Sequence, residues 1–330
     1  MNQKSHIYKE NHMSFRLKVF RPEWRNLLIL FLTAILTSCT YTFELKDSHL
    51  KSMAAVRAKI CADSTVVIHV DRTVPLTKIG NMDTTLISPH YSLLCNGKEV
   101  ETTFEMDGMG GMIIKSDSFK SGDRLEFSFS TDDMETATAV TEIPMAFPKH
   151  TISMATSNKV RIAYEDDPQK DNYYAAIVQW CGTVMTYDNE GGLIPYRFIE
   201  DGSVYLPVDL EAIDLDPGAY SPTVTKHDGR YIYFWSDKDE EDNVYELIFN
   251  YQYAADSIMD RKVRCLLFTL SEEMYRTMFA EYDSNYNPLA YLGLSSPSYT
   301  YSNIRNGLGH FCGYSVTPSE WIDAPVQKEL

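Results

Sequence analysis

Residues 244–253 read Val-Tyr-Glu-Leu-Ile-Phe-Asn-Tyr-Gln-Tyr, and their alternation sets the class of structure that the chain can form. Aromatic and large apolar side chains occupy every second position from Tyr245 to Tyr251, the period of a β-strand with one buried face. The aromatic run Tyr231–Trp235 precedes this stretch, and residues 261–269 continue the alternation after it. These neighbouring patterns predict β-strands throughout the second half of the chain.

The first half of the chain carries the same strand signals. Residues 66–70 alternate in hydrophobicity, and Asn96-Gly97 separates two further strand patterns with a strong hairpin signal. Short strands at this spacing, joined by Gly and Asp turns, predict an immunoglobulin-like antiparallel sandwich over residues 58–148. Pro148 closes that unit, because proline ends strand ladders and stiffens linkers. A second β-rich domain is predicted over residues 149–330.

Two segments of the second domain predict a pair of strands and a helix. Residues 173–180 and 182–187 read as a pair of strands. Residues 271–282 break the two-residue period, since Ser271 is a good helix cap and apolar residues then follow at helical spacing. The fold class predicted is therefore mainly β, with a sandwich, a second β-rich domain and one short helix near the carboxyl end.

Composition excludes several classes of protein. The chain has 330 residues, 44% hydrophobic and 23% charged, which is too apolar for a disordered protein. Its formal net charge of −16 argues against nucleic acid as a partner, because phosphate binding needs a basic face.

The amino-terminal segment resembles a secretory leader. Four basic residues between Arg16 and Arg25 precede the apolar run Leu27–Leu36, which is shorter than the roughly 20 residues of a spanning helix. The run ends in Leu36-Thr37-Ser38-Cys39, which resembles the bacterial lipobox. In that motif the cysteine is acylated and becomes the first mature residue. An ordinary signal anchor with a chance cysteine is the alternative.

The lipobox interpretation divides the start of the chain. Residues 1–38 are the predicted signal peptide, and residues 39–57 are the acylated Cys39 and its tether. Thr40 follows the cysteine, and in the common sorting rule an aspartate there would retain the protein at the inner membrane. The outer membrane is therefore favoured, with either of its faces open. Five further cysteines match no disulfide framework and are expected to be mostly buried thiols.

Three stretches together resemble a known family. They are residues 65–77, residues 138–144, and the run Tyr301-Ser-Asn-Ile-Arg-Asn-Gly-Leu-Gly-His-Phe-Cys-Gly313. They are similar to an uncharacterised bacterial lipoprotein family, the domain-of-unknown-function family 4249. The resemblance implies an acylated outer-membrane protein, and members often occur beside TonB-dependent transporters. It supplies no catalytic residues, and His310 and Cys312 depart from the usual pattern.

The glycines of that last run also have a purely structural interpretation. Gly307, Gly309 and Gly313 permit positive φ angles and close approach to another element. A latch that closes the second domain is favoured over a ligand loop.

Few motifs in the sequence point to chemistry. Neither a Gly-x-Ser-x-Gly nor a His-Glu-x-x-His pattern occurs. Asp237, Asp239 and Glu241 alternate in one loop and are calcium candidates, although a solvated acidic loop is the simpler interpretation. Alternate strand residues share a face, so Tyr231, Tyr233 and Trp235 are candidates for stacking on a ligand such as a sugar. Burial in a tyrosine-rich core is the favoured interpretation of these aromatics, because aromatic residues favour strands regardless of a ligand.

The sequence therefore favours a non-catalytic accessory or binding lipoprotein of the outer membrane. We expect its partners to be the membrane itself, a TonB-dependent nutrient transporter, and a glycan or peptide ligand, with no cofactor. One alternative is a glycan- or peptide-active enzyme whose carboxylates meet only in the fold. The other is a structural component of the envelope.

Overall fold

Strands dominate the structure, a computed structural model. It describes residues 51–74, 83–156, 159–167, 170–201, 203–205, 223–227, 230–237, 244–252, 258–286 and 301–324. In chain order the strands are β1 (Ala54–Cys61), β2 (Val66–Arg72), β3 (His90–Cys95), β4 (Lys98–Glu99), β5 (Thr102–Met106), β6 (Met112–Ser116), β7 (Arg124–Thr131), β8 (Met134–Glu142), β9 (His150–Thr156), β10 (Lys159–Glu165), β11 (Tyr173–Tyr187), β12 (Leu193–Asp201), β13 (Ser203–Tyr205), β14 (Thr223–His227), β15 (Arg230–Ser236), β16 (Val244–Gln252), β17 (Met259–Leu270), β18 (Gly307–Pro318) and β19 (Ile322–Asp323).

A single helix, α1 (Glu272–Tyr286), accompanies these strands within the described residues. None of the helical residues described is part of a segment long and apolar enough to cross a membrane. The mainly β fold class with one short helix near the carboxyl end is confirmed.

The predicted sandwich is built from two sheets around one core. The neighbours β1, β2, β6 and β5 form one side, and the sheet β4-β3-β7-β8 forms the other. Apolar residues of both sheets, including Ile68 and Phe127, pack together between them. At Asn96-Gly97 both residues have positive φ angles, as a two-residue hairpin turn requires.

The boundaries of this unit differ from those predicted. β1 begins at Ala54, so residues 54–57 of the predicted tether lie in the sheet. β18, from the carboxyl end of the chain, pairs in parallel with β1 along its whole length and then pairs with β17. One 11-stranded sheet therefore runs through both predicted domains, and the described residues from Lys51 onward belong to one compact unit. Sequence periodicity carries no information on such a long-range pairing.

β11 is the central strand of the second half. It is one strand of 15 residues rather than the predicted pair, and β17 pairs with it from Tyr173 to Thr183. The register shifts at Gly182, where a Cβ atom would lie 2.2 Å from Ile258 Cγ2, so the small residue permits a bulge instead of a turn.

Both faces of β11 are covered in its first half. Even-numbered residues such as Tyr174 and Val178 pack in a core shared with the sheet β13-β16-β10-β9. Odd-numbered residues such as Ala175 and Ile177 pack against α1. This two-sided burial explains why the strand reads as a continuous apolar run.

α1 begins where the sequence places it. Ser271 Oγ accepts a hydrogen bond from Met274 N at 3.2 Å, and Glu272 and Glu273 occupy the first turn. The apolar face that contains Met274 and Met278 closes the core on one side of β11.

The described cysteines are reduced thiols. Cys181, Cys265 and Cys312 are buried, whereas Cys61 and Cys95 are half-buried. Burial raises the pKa of Cys265 and of Cys312 to about 12, so these thiols stay protonated and unreactive at neutral pH.

Candidate functional site

The aromatic residues proposed for ligand stacking face inward. Tyr233 and Trp235 are almost completely buried in the core between β11 and β16, and Trp235 Nε1 donates a hydrogen bond to the Tyr164 hydroxyl at 2.9 Å. The prediction of an exposed stacking row is therefore wrong for these two residues. The side chain of Tyr231 lies outside the described residues, as does the acylation candidate Cys39.

Of the three calcium candidates, the structure describes Asp237. Asp237 is only 5% exposed, and its carboxylate accepts hydrogen bonds from Asn172 N at 2.6 Å and from Asn172 Nδ2 at 3.2 Å. Asp239 and Glu241 lie outside the described residues. Within the described part of the chain, no group of three His, Cys, Asp or Glu side chains is placed to hold a metal ion.

Asp237 instead forms a carboxyl pair with Asp166 at the end of the aromatic core. Burial raises the pKa of Asp237 to about 7, and its hydrogen bond with Asp166 contributes in the same direction. Asp166 accepts further hydrogen bonds from the Tyr174 hydroxyl at 2.5 Å and from Asn172 Nδ2 at 3.1 Å. These hydrogen bonds join the ends of β10, β11 and β15.

This carboxyl pair was missed in the sequence. Its signal is an aspartate just after the apolar strand β10 and another just after β15. Nothing local indicates that the two strand ends meet.

The glycine run near the carboxyl end packs closely against neighbouring backbone, as a structural latch would. Asn303 Nδ2 donates to Phe311 O at 2.7 Å, and Phe311 N donates back to Asn303 Oδ1 at 2.9 Å. Gly309 has a φ of +102°, and a Cβ atom there would lie 2.0 Å from Val56 O. At Gly313 a Cβ atom would lie 2.6 Å from Glu142 O. These contacts hold β18 tightly against β1 and β8.

The remaining candidate is a projecting hairpin, residues 182–199, which we call the arm. It consists of the second half of β11 and most of β12, paired from Cys181–Ile199 to Tyr187–Leu193. Six large apolar side chains on it are exposed: Met185, Tyr187, Leu193, Ile194, Tyr196 and Ile199. Tyr187 is 73% exposed, and Tyr196 and Ile199 are each 58% exposed.

The exposed side chains of the arm occupy both of its faces. Paired residues of an antiparallel ladder share a face, so Tyr187 and Leu193 lie on the side of Met185, whereas Ile194 and Tyr196 lie on the opposite side. β11 supports one edge of β12, and no described strand pairs with the other edge.

The strand register places the arm far from the start of β1. Residues Cys61, Tyr314, Leu270 and Tyr173 are level with one another across four adjacent strands. β1 and β11 run in the same direction, so Tyr187 lies roughly 20 strand positions beyond Ala54. That corresponds to on the order of 60 Å before the sheet twist shortens the distance.

The tip of the arm is an ordered acidic turn. Asp188 Oδ1 accepts hydrogen bonds from Glu190 N at 3.0 Å and from Gly192 N at 2.6 Å, and Asp188 N donates to Gly192 O. Gly191 supplies the positive φ angle that the turn needs. Self-capping of this kind holds the two strands together beyond the body of the sheet.

Comparisons with known proteins give one family match. A family model described as "Domain of unknown function (DUF4249)" matches residues 40–320. No curated protein matches the chain.

Two solved structures illustrate the structural matches. "Anomalous substructure of Titin-A168169" is 9% identical with a TM-score of 0.22, covering 67% of this chain and 91% of that one. "Structure of Yersinia pseudotuberculosis adhesin InvE" is 8% identical with a TM-score of 0.21, covering 66% and 55%.

Proposed function

The chain belongs to the DUF4249 family, and on that premise we propose that it is a lipid-anchored outer-membrane protein with a non-catalytic binding role. In this proposal Cys39 carries the acyl chains, the strand-rich body binds other molecules at the envelope, and a TonB-dependent transporter is its working partner. A glycan or a peptide is the ligand class proposed.

The observation that carries the proposal is the position of Cys39. It follows a basic segment and a short apolar run, and the family match begins at the next residue, 40. Residues 40–53 then separate the cysteine from β1, which is a span of at most about 50 Å if fully extended. A covalent lipid on Cys39 would therefore hold the folded body close to a bilayer.

The charge of the protein supports a covalent anchor over adhesion. A net charge of −16 repels an anionic membrane surface, and removal of the basic leader makes the remaining chain more acidic. Several acyl chains, each contributing about 0.8 kcal/mol per buried methylene group, supply the stable attachment that the protein surface does not.

The enzyme alternative requires two carboxyl groups facing an open cleft. The Asp166–Asp237 pair does not provide that arrangement, because Asp237 is buried and both carboxyls are engaged by Asn172. This pair therefore gives no support to the enzymatic alternative.

Replacement of Cys39 by Ala tests the anchor. We expect the wild-type chain to incorporate labelled palmitate and to sediment with membranes, and the Cys39→Ala chain to do neither. Cys61→Ala is the matched control, since this half-buried thiol lies in β1, and that variant should behave like wild type. A Cys39→Ala chain that stays in the membrane fraction, or an unmodified Cys39 in the mature wild-type protein, would overturn the proposal.

A further inference from the structure

We propose that the arm, residues 182–199, is a docking element that inserts into an apolar cleft of one partner protein, with basic side chains of that partner around the acidic tip. The inference rests on the proposed function only in placing the partner at the same envelope. It follows from three features of the arm: its exposed apolar area, the exposure of apolar side chains on both of its faces, and the negative charge of its tip.

The apolar area of the arm is too large for scattered surface residues. Six side chains exposing about 100 Å² each give on the order of 600 Å² of exposed area, summed over the two faces of the arm. A stable protein interface buries about 800 Å² on each partner. The arm therefore offers most of one side of an interface without any other part of the molecule.

Apolar side chains are exposed on both faces of the arm, and this restricts the shape of a partner that could bury them. Tyr187 and Met185 project from one face, and Tyr196 and Ile194 from the other. In the first half of β11 the two faces are covered by α1 and by the facing sheet. A flat partner surface would cover only one face, so a cleft that encloses the hairpin is required.

A lipid bilayer does not fit these features. Inserting the tip would bury the carboxylates of Asp188 and Glu190, and the edge of β12 that no described strand covers would lack hydrogen-bond partners in lipid. The arm also extends along the strands away from Ala54, where the tether enters the body.

A second copy of the chain fits less well than a different protein. Two arms stacked on each other would cover one face of each and leave the other exposed. The acidic tips and the net charge of −16 also repel a second molecule of the same chain. A cleft with basic side chains complements the tip, and such complementarity speeds and orients docking.

Photo-crosslinking in intact cells tests the inference on the full chain. A photoreactive phenylalanine derivative is placed at Tyr187, at Tyr196 or at the control position Phe104, an exposed aromatic residue of β5 outside the arm. We expect adducts from positions 187 and 196 with the same partner protein, and none with that partner from position 104. The crosslinked partner peptides should line one apolar cleft.

Binding of the identified partner, purified, then measures the contribution of the arm. The double variant Tyr196→Ser/Ile199→Ser changes one exposed residue on each face, and its affinity should fall by at least about tenfold. Phe104→Ser should bind like wild type. Glu190→Lys should weaken binding at least about threefold at low salt, with a smaller effect at high salt. All three variants should keep the wild-type melting temperature, because the changed side chains are exposed.

Four results would overturn the docking proposal. They are adducts from one face only, adducts only with another copy of the chain, adducts only with lipid, and no adduct from either arm position. The Cys39→Ala chain separates this inference from the proposed function. Arm adducts that persist in the Cys39→Ala chain would show that docking does not depend on lipidation. A Cys39→Ala chain that stays in the membrane fraction would overturn the anchor but not the docking proposal.

Discussion

The pairing of Asp166 with Asp237 shows how one buried contact makes a strand end sensitive to pH. An ordinary aspartate has a pKa near 3.9, whereas burial raises the pKa of Asp237 to about 7. The folded protein therefore binds a proton more strongly than the unfolded chain does. The associated stability is fully present below about pH 4 and is lost as the pH rises through 7.

Asp237→Asn should remove this pH dependence, because the amide resembles the protonated carboxyl. We expect the variant to be more stable than wild type at pH 8 by about 1–2 kcal/mol, after allowance for solvent screening, and similar to it at pH 4. Denaturant titrations between pH 4 and 8 measure the difference. Asp167→Asn, an exposed neighbour in the same loop, is the control. Parallel pH profiles for wild type and Asp237→Asn would contradict the assignment.

For single residues, the sequence predicts some structural roles correctly and leaves others open. Ser271 as a helix cap and Asn96-Gly97 as a turn depend on local chemistry, and both predictions are confirmed. The alternation of Tyr233 and Trp235 indicates a shared face, but it does not say whether that face meets solvent or the core. The second sheet and its tyrosines decide that question, and they lie elsewhere in the chain.

Among the elements, β18 approaches β1 so closely that Gly309 has no room for a side chain. Gly309 combines a positive φ angle with the close approach of Val56 O, so a methyl group there is both strained and crowded. No rotamer change relieves this contact, because the opposing atom belongs to the backbone.

Gly309→Ala should therefore destabilise the protein by more than about 3 kcal/mol in denaturant unfolding. Gly97→Ala is the matched control, since Gly97 also has a positive φ angle but no atom would lie within 4 Å of its Cβ. That control should cost only about 1 kcal/mol. Equal losses for the two variants would show that strain alone, and not the approach to β1, sets the requirement for glycine.

The arm illustrates why exposure of an element is hard to predict. Residues 182–187 carry the β-branched and aromatic side chains that are typical of any sheet strand, and the sequence predicts a strand there without indicating that it is exposed. Only the three-dimensional register shows that β17 stops pairing with β11 at Thr183, leaving the following residues without a neighbour on that edge among the described strands.

For the whole molecule, the central observation is that residues from both ends of the described chain share one sheet. The two-sheet sandwich was predictable from periodicity and turn chemistry, because these depend on neighbouring residues. The parallel pairing of β1 with β18 was not, since it joins residues about 250 positions apart in the chain.

Truncation after Asn306 should therefore unfold more than the second half of the molecule. Loss of β18 removes Phe311 from the first core and exposes one edge of β1. We expect amide hydrogens in β1 and β2 to lose most of their exchange protection, measured by hydrogen exchange and mass spectrometry. Truncation after Ala324 retains every described strand and should leave protection unchanged. Protected β1 amides in the shorter chain would contradict this shared-sheet account.

The pairing of β1 with β18 also orders the events of synthesis. Ala54 is synthesised about 250 residues before Gly307, so β1 leaves the ribosome long before the strand that pairs with it. Until then β1 lacks its parallel neighbour, and the first core lacks the side chain of Phe311. The first core can therefore be completed only after residues 307–318 have left the ribosome.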